Sequence, residues 1–117
     1  MENNYLRGKV LSQKCPSRQI LQHITSKWGG LIMVVLLDGT KRFSELRKEI
    51  EGISERMLTQ NLQQLEQDGM VSRYSFNTVP PHVEYSLTEY GYQAAERFKQ
   101  LVDWLEESFP EIQKGMK

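Results

Sequence analysis

At Gly69 the hydrophobic period of the chain changes, and no other feature restricts the fold as strongly. Before it, apolar residues recur every three or four positions, the spacing of a single helix face. Ile20, Leu21 and Ile24 form one such set, Phe43, Leu46 and Ile50 a second, and Leu58, Leu62 and Leu65 a third. After it the chain alternates: Val71, Arg73, Ser75 and Asn77 point one way, Met70, Ser72, Tyr74 and Phe76 the other. Val83, Tyr85 and Leu87 alternate again beyond Thr78-Val79-Pro80-Pro81, a stretch whose prolines cannot serve a central strand. An antiparallel hairpin over 70–76 and 82–87 follows.

The helical part is divided by its start and stop signals. Pro16 suits a first turn, where a missing backbone donor costs little, so a helix is predicted over 16–26. The run Leu31–Leu37 is apolar all round and belongs to a central packing helix within 27–39, with Asp38-Gly39 as its stop. Gly29-Gly30 either interrupts the preceding helix or allows close packing. Helices over 44–51 and 54–68 are separated by Gly52-Ile53. Ser54 caps the second of these, without a reciprocal capping box because position 57 is methionine. Thr88 caps a final helix striped by Ala94, Phe98, Leu101, Leu105 and Phe109, and Pro110 is expected to end it. The fold class is therefore α+β and mainly helical: four helices, a hairpin and a helix.

Length and composition narrow the function classes. A chain of 117 residues fits one compact domain. Its longest apolar run, Leu31–Leu37, is far below the roughly 20 residues that cross a bilayer, so no membrane partner is expected. Cys15 has no second cysteine with which to pair, which points to a reducing compartment; with no leader-like segment, the expected location is cytoplasmic. The 15 basic and 15 acidic side chains cancel overall, but residues 1–83 carry 11 and 8 and residues 84–117 carry 4 and 7. The body can approach a polyanion while the acidic end is repelled. No phosphate-cradling glycine loop, zinc-ligand cluster or paired-carboxylate constellation stands out, so neither catalysis nor a cofactor is expected.

Three helices followed by a hairpin describe a winged helix-turn-helix, in which the second helix of the pair enters the major groove and the wing approaches the backbone or minor groove. Arg56, Thr59, Gln60 and Gln63 turn away from the Leu58–Leu62–Leu65 line and are the candidates for base reading. Arginine offers a donor fork to guanine, and glutamine a paired donor and acceptor. Ser54, Lys41, Arg42 and Arg73 are candidates for the DNA backbone, opposed in part by Glu45 and Glu49. Lys27 stands between phosphate contact and exposure beside Trp28. A recognition face that binds protein instead of DNA is the competing reading, since one fold supports either.

The chain resembles the HxlR-type family of bacterial winged helix-turn-helix regulators, within the MarR-like superfamily. The resemblance lies in Cys15-Pro16, Lys27-Trp28, Leu37-Asp38-Gly39, Arg42 to Arg47, Gly52 to Gln60, Leu62 to Glu66, Asp68 to Val71, Val79 to Thr88, and Gly91, and covers about residues 15–105. It implies a dimeric DNA-binding repressor or activator whose terminal helices supply much of the dimer interface, and repression is favoured. A homodimer on a roughly palindromic operator is thus expected, with Ile20, Leu21, Ile24, Phe98, Leu101, Trp104 and Leu105 as interface candidates divided between core and partner. Some proteins it resembles sense electrophiles or oxidants through a matching cysteine, which makes Cys15 a candidate thiol sensor; packing near the interface is the other reading. A small-molecule effector is the further partner in view. The expected organisation is an arm over 1–14, the winged domain with its dimerisation helices over 15–107, and a tail over 108–117.

Overall fold

A computed structural model of the protein describes residues 7–117. The elements, in chain order, are α1 (Pro16–Ile24), α2 (Gly29–Leu36), β1 (Lys41–Arg42), α3 (Phe43–Glu49), α4 (Glu55–Gln67), β2 (Val71–Phe76), β3 (His82–Leu87) and α5 (Glu89–Lys114). The class is mixed α+β, mainly helical with one small sheet, the architecture of a winged helix-turn-helix.

α2 is the hub, as its apolar circumference requires. Ile32, Met33 and Leu36 are buried, and the helix packs against α1, α3, α4, α5 and β3. Its two glycines permit the crossing: a Cβ on Gly29 would collide with the His23 carbonyl of α1, and one on Gly30 with the Phe98 ring of α5. Leu46 of α3, Ile50 and Ile53 between α3 and α4, Leu58, Leu62 and Leu65 of α4, Val71 of β2 and Ala95 of α5 complete the core. Each large side chain buried in this way contributes about 1.5–3 kcal/mol of transfer free energy.

Local chemistry sets the helix ends. α1 stops at Ile24 rather than 26, and the Thr25 and Ser26 hydroxyls donate back to the Leu21 and His23 carbonyls at its end, both at 2.8 Å. α2 is confined to Gly29–Leu36 within the expected 27–39, since Trp28 and Leu37 are its caps. α3 begins at Phe43, where the Arg42 amide donates to the Glu45 carboxylate at 2.7 Å, and ends before Ile50. Ser54 caps α4 by accepting from the Met57 amide at 3.1 Å, and Thr88 caps α5 by accepting from the Gly91 amide at 2.9 Å. Gly52, at φ +89°, makes the tight turn between α3 and α4, a backbone state that a side chain disfavours.

The hairpin pairs Val71 with Leu87 through Phe76 with His82. At its end the Phe76 and His82 rings stack 4.4 Å apart. A third strand, unexpected from the sequence, makes the sheet order β1-β3-β2, with Lys41 opposite Tyr85 and Arg42 opposite Glu84. Two residues are too few to show an alternating pattern.

Pro110 does not end the last helix. α5 continues through it to Lys114, with Gly115 as C-cap. The carbonyl that proline cannot serve, that of Glu106, lies on an exposed stretch where water can satisfy it. A Lys114–Glu111 pair at 3.0 Å ties down the final turn. Of the arm expected over 1–14, residues 1–6 lie outside the described residues, and 7–14 are irregular with turns at 10–11 and 13–14.

Candidate nucleic-acid interface

α4 separates its two faces cleanly. Leu58, Leu62 and Leu65 are 0–2 % exposed, whereas Arg56, Thr59, Gln60 and Gln63 are all exposed and, with Glu55, line one shallow groove. The helical period alone accounts for this, because residues 56, 59, 60 and 63 share one arc and 58, 62 and 65 the opposite one. The four residues expected to read bases are therefore brought together, with one carboxylate at the edge of the group.

The candidates for backbone contact are less alike. Arg73 on β2 joins Thr59, Gln63, Glu66 and Tyr85 around a groove between α4 and the hairpin. Ser54 is exposed, with its hydroxyl committed to the Met57 amide. Arg42 is exposed at the N-cap of α3. Lys41 is paired: its Nζ lies 2.7 Å from Glu49 Oε2, and that hydrogen bond holds the ammonium above its ordinary value. Among the described residues, neither Arg56 nor Arg73 belongs to an ion pair.

The apolar residues of the terminal helices divide into two groups. Ile24 packs on the core and Phe98 lies against Gly30, so both serve the monomer. Leu21, Leu101, Trp104 and Leu105 are 45–56 % exposed, and the stripe continues through Phe109 and Ile112. Ile20 is half-buried.

Cys15 is the N-cap residue of α1. The Lys9 amide donates to its Sγ at 3.3 Å and the Ser17 hydroxyl lies 3.0 Å away. These two contacts, the Lys9 amide first, hold the thiol below its ordinary value.

Two polar features were not apparent from residue types. Asn61 is buried on α4, donating to the Met57 carbonyl at 2.8 Å and accepting from Ser26, in the turn after α1, at 3.4 Å. Its spacing, three after Leu58 and four before Leu65, was the available signal, since it falls on the buried arc. His23 Nδ1 meets Asp68 Oδ2 at 2.6 Å, joining α1 to the C-cap of α4. No local pattern pairs those two.

The sequence pattern of the HxlR-like helix-turn-helix family matches residues 23–113. The chain belongs to this family. It is 53% identical over 105 residues to the uncharacterized HTH-type transcriptional regulator YtfH of Escherichia coli (strain K12), covering 90% of this chain and 83% of that protein. The solved structure of YtfH from Salmonella typhimurium superposes with a TM-score of 0.86 at 51% identity, covering 92% of this chain and 96% of that one. The redox regulator HypR in its reduced form superposes with a TM-score of 0.76 at 39% identity, over 85% and 98% of the two chains. As an HxlR-like protein the chain is a member of a family of helix-turn-helix transcriptional regulators. Among the described residues, no helix is long and apolar enough to cross a membrane.

Proposed function

We propose that this HxlR-like protein is a homodimeric, sequence-specific DNA-binding repressor. α4 lies in the major groove, where Arg56, Thr59, Gln60 and Gln63 read base edges, while Ser54, Arg42 and Arg73 position the backbone and Lys41 adds charge shared with Glu49. The observation that carries this reading is the convergence of the four α4 side chains on one exposed groove opposite a fully buried leucine line. Two copies related by a twofold axis, joined through Leu21, Leu101, Trp104 and Leu105 with half-buried Ile20 at the margin, present two such helices about 34 Å apart to a roughly palindromic operator. Occupancy of promoter DNA then excludes polymerase.

Control through Cys15 belongs to the same proposal. Its lowered thiol value favours the thiolate, which is the form that attacks electrophiles and oxidants. The similarity to HypR, a redox regulator by name, supports this reading.

Titration of duplex fragments from the promoter of the protein's own gene tests the DNA reading. Binding weakens as salt rises, and Arg56→Ala costs about 1–3 kcal/mol of operator affinity with unchanged thermal stability, because Arg56 is exposed. Salt-insensitive association with a protein, and no selective duplex, would replace this reading with that of an interaction module.

A further inference from the structure

We propose that the cleft between α1 and α4 receives one of the two sugar-phosphate backbones bordering the major groove, with Lys27 as its cation and Gln22 and Gln64 as neutral donors. This inference rests on the DNA-binding reading above and extends the contact surface to an element outside the helix-turn-helix pair.

The geometry follows from widths. An α-helix with its side chains is about 10–12 Å across and the major groove about 12 Å wide, so a helix lying in the groove meets a phosphate wall on each flank. One flank of α4 faces the hairpin, where Arg73 stands beside Tyr85. The opposite flank faces α1 across a cleft of about 440 Å³, whose lining includes Gln22, Lys27, Trp28, Gln60 and Gln64. Gln60 also lines the groove of the base-reading candidates, so the two surfaces are continuous.

The chemistry of this lining suits a polyanion. Among the described residues no Asp or Glu lines it, although acidic and basic side chains are equal in number over the whole chain. By contrast, Glu55 borders the reading groove and Glu66 the hairpin side. His23, which also lines the cleft, is engaged by Asp68 at 2.6 Å. Lys27 Nζ sits 4.9 Å from the Trp28 ring centroid, a cation–π contact that restrains the ammonium at the cleft without cancelling its charge. Glutamine amides complete the surface by donating to phosphate oxygens, which positions the helix and reads no sequence.

The test compares wild type, Lys27→Gln, Lys27→Arg and Gln64→Glu on the own-promoter fragment and on a scrambled duplex of equal length, across a salt series. Losing one phosphate contact lowers the slope of log affinity against log salt by about 0.9, so between 50 and 200 mM salt wild type loses about threefold more affinity than Lys27→Gln. Both duplexes are affected alike, and Lys27→Arg restores the slope. Gln64→Glu weakens both duplexes by a common factor, with thermal melting confirming that it folds. A wild-type slope in Lys27→Gln, or a loss confined to the promoter fragment, overturns the inference while leaving the DNA-binding reading intact. Failure of wild type to bind either duplex removes both.

Discussion

His23 and Asp68, 45 residues apart in sequence, meet at 2.6 Å and tie the last turn of α1 to the C-cap of α4. Their side chains are only 17% and 11% exposed, so the bond is largely shielded from water and salt. Removing either partner strands the other. Asp68→Ala is expected to cost about 1–3 kcal/mol in urea unfolding, as when a shielded hydrogen-bonding group is left without its partner. In a double-mutant cycle with His23→Ala the two losses fail to add by about 1 kcal/mol. Strict additivity would show that the contact contributes nothing of its own.

Gly91 sets two effects against each other. Alanine is the better helix former by about 1 kcal/mol, but at Gly91 its Cβ would strike the Met70 carbonyl oxygen. That carbonyl accepts from the Thr88 amide at 3.1 Å and cannot yield without breaking the start of α5. Overpacking of this kind costs about 1–3 kcal/mol and more where backbone is the obstacle, so the clash prevails and Gly91→Ala lowers the melting temperature. Gly115→Ala, whose new Cβ would meet only an ordinary contact at 3.6 Å, serves as the control. Equal melting of the two variants would refute the steric argument.

The Cys15 thiol value is lowered by hydrogen bonds that the thiolate accepts, which fixes the sign of a pH effect. Alkylation follows the thiolate fraction, so its rate against pH reaches half-maximum at lower pH than for an unstructured cysteine peptide. Ser17→Ala removes one of the two principal donors and moves the curve to higher pH. Iodoacetamide kinetics read both shifts, and coincident curves for protein and peptide would contradict the contacts at Sγ.

Leu101 and Trp104 are 56% and 55% exposed on α5, large apolar surface that a monomer leaves in water. The double substitution Leu101→Glu/Trp104→Glu places charge on the proposed interface without touching the core. Light scattering over a concentration series should give a dimer for wild type and a monomer for the variant, with unchanged circular dichroism. A wild-type monomer at concentrations that saturate the promoter duplex would defeat the dimer proposal.

Much of the candidate interface was legible because it depends on one helix. The separation of Arg56, Thr59, Gln60 and Gln63 from Leu58, Leu62 and Leu65 needs only the helical period, and the caps at Ser54 and Thr88 act within one turn. The hairpin was legible from alternation and its proline loop. Pro110 misled because a local breaker signal carries no information about exposure, and an exposed helix tolerates it. Lys41, a backbone-contact candidate from its charge, proved to hold Glu49 across β1 and α3, a pairing that residue type cannot reveal.

The sequence by itself determined the order of the helices and the hairpin, the buried leucine line of α4 and the composition of its exposed face, since these arise from interactions between residues no more than about four apart or along one strand. Only the tertiary structure decided the third strand at Lys41–Arg42, the burial of Asn61 beside Ser26, the His23–Asp68 bond and the cleft lined by Lys27, where no carboxylate stands among the described residues. Each of these joins segments separated along the chain. Their geometry is set by how α2 seats its neighbours, with Gly29 and Gly30 as the points of closest approach.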